Sequence, residues 1–330
     1  MSKINIIAEL AQGYEGKVFL AKQLIESAKL AGADYAKIQV VFADELATRD
    51  YKDYKIFKSL ELNKKKWREI YNFAEKKKIS LITEVFGKKS VDVCRSFKSK
   101  YYKIHPTDIN NFELLNIIKL AKPKKIFLGV GGATQKEIED SLIFLKDQNI
   151  ILLHGHQSLP TPNKDINLKR ISNILKNNYF QNRNMHIGIA DHVDPKDNDH
   201  NLIVAMAIGA GATYVEKHLT TNRVYKLEDY HSALNPDEFK NFVDKINFMK
   251  IILGDGKFLN NSSEKNYRNL VRRSYFLKKK IKKNSILKYS NVVMKRSSKI
   301  SNLTNIKNII GKRAKKVLKK NELIQKKHFS

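Results

Sequence analysis

One motif recurs eight times in the first 260 residues: a short β-branched run, a charged or otherwise reactive residue near its end, then an amphipathic helical stretch. The runs cover residues 4–9, 35–41, 79–86, 101–105, 125–130, 149–154, 185–190 and 213–218. Helical periodicity predicts helices over 19–31, 64–77, 90–97 and 112–121, with Gly32 and Pro123 as stops, and a longer polar, aromatic loop over 43–60. Strands of buried type alternating with helices argue for a parallel sheet, because each parallel connection needs a crossover. Eight such units in about 250 residues is the size of a (β/α)8 TIM barrel. An open doubly wound sheet is the rival, but Ala11-Gln-Gly-Tyr-Glu-Gly16 lacks the dinucleotide-binding spacing.

Beyond Gly254-Asp-Gly256 the pattern changes to short β-type segments, basic loops and a last run at 317–324. The expected division is a catalytic domain over 1–260 and a small β-rich module over 261–330. A module of roughly 60 residues sits near the lower limit for independent folding. It is expected to lean on a partner.

The formal net charge of +30 invites a nucleic-acid reading, since basic surfaces displace counterions from phosphates. The lysine clusters are spread along the chain and accompany abundant Asn and Ile, which points to compositional bias, so no nucleic-acid partner is expected. No stretch approaches the roughly 18 apolar residues of a membrane helix, and the first residues are too soon charged for a secretory signal. No membrane association is expected. Cys94 is the one cysteine, which excludes an internal disulfide, makes the cytoplasm the expected compartment, and reads as a buried structural thiol.

In a barrel of this kind the active site lies at the C-terminal strand ends. Those ends present Glu9, Lys37 with Gln39, Glu84, Lys103 with His105 and Asp108, Gly129, His154 with His156, Asp191 with His192, and Glu216-Lys217-His218. Polar groups inside β-branched runs are costly to bury unless they pair or face a site. Lys37 and Lys103 read as functional rather than snorkelling, and Glu9 and Glu216 as either catalytic groups or ion-pair partners. His192 and His218, matched on adjacent strands, read as a metal or substrate pair. His186, inside a strand, reads as packing.

These residues resemble the sialic acid synthase family, the phosphoenolpyruvate-dependent nonulosonate synthases. The likeness rests on Ala8-Glu-Leu-Ala-Gln12, Lys37-Ile-Gln39, Lys103-Ile-His-Pro-Thr-Asp108, Pro160-Thr-Pro162, Ala190-Asp-His192, Glu216-Lys-His-Leu-Thr220 and Ser232-Ala-Leu-Asn-Pro236. In the tail, Arg272-Arg-Ser274, Asn291-Val-Val-Met-Lys-Arg296 and Ile310-Gly-Lys-Arg313 resemble the family's antifreeze-like (SAF) module. The resemblance implies condensation of phosphoenolpyruvate with an open-chain N-acetylhexosamine-type sugar. It also implies a divalent ion, usually manganese with magnesium or cobalt as alternatives, held at His192 and His218.

By the same matching, Lys37, Lys103 and Gln39 would bind the donor, together with Gly129 and Gln157. Glu9, Asp108, Glu216 and Asp229 would be the catalytic acids, and Arg296 would reach the sugar site of a neighbouring subunit in a domain-swapped homodimer. Where the family has clamping serines this chain has Pro106, Gly129 and Ala190, its asparagine is Gln157, and its Ser-Thr-Pro-Phe-Asp is Thr83-Glu-Val-Phe-Gly87. Three readings follow: a synthase whose Gly129-Val-Gly-Gly132 amides nest the phosphate, a metal-dependent carbon–carbon bond enzyme with a pyruvate-type donor, or a non-catalytic sugar-binding barrel.

Overall fold

The computed structural model describes residues 3–155, 158–177, 185–197, 199–258, 261–299, 301 and 303–330. Eight parallel strands close into one barrel in sequence order: β1 (Asn5–Ala11), β2 (Tyr35–Val40), β3 (Ser80–Val85), β4 (Tyr101–Ile104), β5 (Lys125–Gly129), β6 (Ile150–His154), β7 (His186–Asp191) and β8 (Tyr214–His218). β8 pairs with β1, which leaves no edge, and the TIM-barrel expectation holds.

Helices on the outside cover apolar strand faces. The Val18–Ala31 helix buries Ala21, Leu24, Ile25 and Ala28, and ends at Gly32, whose φ of 91° suits glycine. The Lys64–Lys76 helix starts on an Asn63 cap and buries Trp67, whose ring meets Tyr14 edge-on at 5.4 Å. The 43–60 stretch, expected as loop, contains two short helices, Ala43–Leu46 and Tyr54–Ser59. Cys94 is buried, and burial pushes its thiol up to about 12, as an inert structural cysteine requires.

The chain divides into two compact units, Met1–Asp255 and Gly256–Ser330. Within the second, the Ser262–Val271 helix precedes two antiparallel strands, β9 (Ser274–Leu277) and β10 (Val292–Lys295), around a small core that includes Leu277, Leu287, Ile309, Leu318 and Ile324. Isolated bridges such as Ile281 to Leu318 knit the remaining segments. Glu264 and Glu322 are this unit's only carboxylate side chains, so basic charge is concentrated here more than the even spread inferred from lysine clusters suggests. Among the described residues no helix is long and apolar enough to cross a membrane.

Candidate active site

Successive side chains alternate between the two faces of a strand, so a two-residue period selects what enters the barrel. Tyr35, Lys37 and Gln39 face inward on β2, Ile82 and Glu84 on β3, Tyr101 and Lys103 on β4, and Tyr214, Glu216 and His218 on β8. Tyr35, Phe127 and Tyr214 pack against one another in the lower layer, where Lys125 donates to the Tyr214 hydroxyl at 2.6 Å. On β2, β3, β4 and β8 the next inward position up is then the charged one, whereas β5 and β6 carry Gly129 and Leu153 there. Register levels the charged positions: Glu9 lies beside Lys37 on one side and His218 on the other, and Glu84 beside Lys103.

Five charges form one buried network. The Lys37 ammonium pairs with both Glu9 and Glu84, while Lys103 lies 2.6 Å from Glu216 and 3.8 Å from Glu9. None of the five exceeds 4% exposure. Three carboxylates therefore face two ammoniums. Glu9 is further fixed by the Ala11 N–H at 2.5 Å, at a bulge in β1 where Ala11 adopts a φ of 43°.

Burial would raise the Glu84 pKa, but Lys37, Lys103 and His105 outweigh it and hold the carboxyl down to about 2. Burial also lowers Lys103, yet Glu216 and Glu84 more than reverse this, so its ammonium is retained. Gln12 donates to Gln39 at 2.8 Å, orienting the amide beside the cluster.

Across the mouth, the His192 and His218 rings stand 5.2 Å apart at 52°. Burial, then the field of Lys103, pulls His192 down to about 3, and burial with His192 and Lys37 lowers His218 well below its ordinary value. Both rings are neutral at physiological pH, and His192 Nδ1 is buried without a protein partner among the described residues. Two neutral nitrogen donors with a free position suit a divalent ion that fills its remaining sites with water and substrate. Among the described residues no third His, Cys, Asp or Glu joins them in a metal-binding group.

Parity separates residues that adjoin in sequence. Lys217 has the opposite facing from Glu216 and His218; wholly buried, it meets Asp191 at 3.0 Å and donates to the Val193 carbonyl at 2.7 Å. Asp191 also accepts the Val193 N–H at 2.9 Å. This pair holds the backbone that carries His192 rather than lining the mouth. Asp229 is half-buried with a φ of 62°, and burial, reinforced by Glu228, raises its carboxyl to about 6. Lys37 and Glu84 also act on it, which places it near their cluster.

Other expected residues are less central. Asp108 follows β4 in a short 3-10 turn, where Asn111 donates to it at 3.0 Å. The Pro106 ring lies against Gly129, so that a Cβ on Gly129 would come within 2.5 Å of Pro106 Cγ. Only backbone is available at Gly129, and the Val130 N–H is spent on the Leu153 carbonyl at 3.0 Å, which shortens the imagined amide nest. His154 meets the Ile166 carbonyl at 2.8 Å, and His186 packs edge-on against Tyr214. Arg296 is exposed just past β10 in the second unit. Gln157 and His156 lie outside the described residues.

Sequence reasoning set Glu84 among the strand ends of the mouth but assigned it no role in the site. The available signal was parity: two positions after Ile82, it shares the inward face that Lys37 and Lys103 occupy on the flanking strands.

Residues 24–258 match the NeuB family. An N,N'-diacetyllegionaminic acid synthase of Campylobacter jejuni is 32% identical, over 98% of this chain and 100% of that protein. A pseudaminic acid synthase of Campylobacter jejuni is 30% identical, over 99% of this chain and 97% of that one. The crystal structure of an N-acetylneuraminic acid (sialic acid) synthetase from Leptospira borgpetersenii, 27% identical, matches with a TM-score of 0.74 over 82% of this chain and 93% of that one.

Proposed function

Because the chain belongs to the NeuB family, we propose that it is a nonulosonic acid synthase, condensing phosphoenolpyruvate with an N-acetylhexosamine-type aldehyde sugar. The observation that carries this reading is the pairing, inside one barrel mouth, of two buried ammoniums with two buried neutral imidazoles. The first pair suits an anionic donor and the second a polarised carbonyl.

In the reaction, C3 of phosphoenolpyruvate bonds to the aldehyde carbon, whose oxygen takes a proton. Water adds at C2, and the C2–O bond breaks to release inorganic phosphate. Donor, sugar and one water thus give nonulosonic acid and phosphate.

Lys37 and Lys103 hold the donor's oxyanions and Gln39 orients it by hydrogen bonding, with Gly129 and Gln157 assigned to the same end. Glu216 sets Lys103, and Glu9, held by Ala11, spans from Lys37 to the strand position beside His218. Asp229, with its carboxyl raised to about 6, accepts the proton of the attacking water, and Asp108 orients the sugar side. His192 and His218 would hold a divalent ion, manganese first with magnesium or cobalt as alternatives, which when bound supplies Lewis acidity toward the aldehyde oxygen. The second unit is assigned as an SAF module, and Arg296 as a sugar contact donated across a domain-swapped homodimer. The expected compartment is the cytoplasm.

Purified protein with manganese is expected to release phosphate from phosphoenolpyruvate only when a suitable 2-acetamido-hexose is supplied. No release across a panel of such sugars, with metal loading verified, would overturn the reading. Arg296→Ala is expected to raise KM for the sugar in the dimer.

A further inference from the structure

The donor end holds one carboxylate more than its cations need. Lys37 is matched by Glu9 and Lys103 by Glu216, so two ammoniums are already neutralised by two carboxylates before Glu84 is counted. Glu84 nevertheless stands wholly buried on Lys37, flanked in register by Gln39 and Lys103, and its second oxygen, Oε1, has no hydrogen-bond donor among the described residues. Its neighbours are the side chains assigned above to an anionic donor. A third buried carboxylate has to share cations already paired with Glu9 and Glu216, so charge balance within the network does not call for it.

We infer that Glu84 is a specificity-determining residue of the donor half: its carboxylate occupies the place on Lys37 where an oxyanion of the donor binds, and the donor enters by displacing it. The inference rests on the reading that an anionic donor uses this mouth. Two oxyanions competing for one ammonium in a water-poor site repel strongly, so the native residue weakens donor binding. Glutamine keeps the size of Glu84 and removes the competing charge.

Inorganic phosphate and pyruvate, as probes of the donor's two anionic ends, are titrated calorimetrically into the full-length wild-type and Glu84→Gln proteins. One of them is expected to bind at least tenfold more tightly to the variant, about 1.4 kcal/mol, and which one identifies the end that meets Lys37. Adding Lys37→Met to Glu84→Gln is expected to abolish the gain. In turnover, KM for phosphoenolpyruvate falls by the same factor while KM for the sugar changes less than twofold. Glu84→Thr serves if the glutamine variant does not fold. Unchanged or weaker binding of both probes by a folded variant overturns the inference, as does turnover with unchanged donor KM. Tighter probe binding without turnover in any variant upholds Glu84's role and instead overturns the proposed reaction.

Discussion

At the His192–His218 end of the barrel mouth a ring nitrogen is left without a partner among the described residues, whereas at the Lys37–Glu84 end each ammonium is already matched by carboxylates of the chain. Both ends are buried and both sit on inward positions of neighbouring strands. They differ in what is available to a ligand. The imidazoles, neutral through burial, can take a cation without giving up an existing bond, while an anion approaching Lys37 meets two carboxylates already paired with its ammonium. Position on the rim therefore identifies the site but not its readiness, and readiness depends on the counter-charges that pleating brings to the same layer.

The largest test of this contrast is at the open end. His192→Ala is expected to lose bound divalent metal, measured by elemental analysis, and to reduce turnover on the order of a thousandfold, with little change in Tm. Retained metal would show that the two ends are not divided as described. Asp229→Asn comes next, with a turnover loss of roughly a hundredfold or more. Wild-type kcat/KM should rise with pH through about 6, because below that value Asp229 is protonated and cannot accept a proton. The variant should lack this acidic limb, and an unaltered profile would remove Asp229 from the base role.

At the filled end, Lys103→Met leaves Glu216 buried without its cation and should cost about 3–5 kcal/mol in urea unfolding. A near-neutral result would mean that water already screens the network. The smallest effect is steric. Gly129→Ser must push against the Pro106 ring and should cost about 1–3 kcal/mol, but distinctly less in a Pro106→Ser background. Strict additivity in that double-mutant cycle would deny the coupling between the two positions.

Much of the barrel was legible because its strands and helices are specified locally. Strand runs such as 35–41 and 125–130, and stops such as Gly32, carry their signal within a few residues. The short helices at Ala43–Leu46 and Tyr54–Ser59 were not legible, since segments of four and six residues hold too little periodicity to register. In the site, Lys37, Lys103, His192 and His218 stood out as polar groups within or just beyond apolar runs. Asp191 and Lys217 stood out for the same reason, yet the fold turns them into a buried pair behind the mouth.

By itself, then, the sequence determined eight strand-and-helix units, a distinct basic tail, and the ionisable residues that end the strands, because each is written in local pattern. Only the tertiary structure decided that Glu84 closes on Lys37, that Pro106 fills the space beside Gly129, and that His192 faces His218 with a nitrogen unpartnered among the described residues. These depend on register and facing between strands far apart in the chain, where one residue of slip moves a side chain to the other face and changes which charges share a layer.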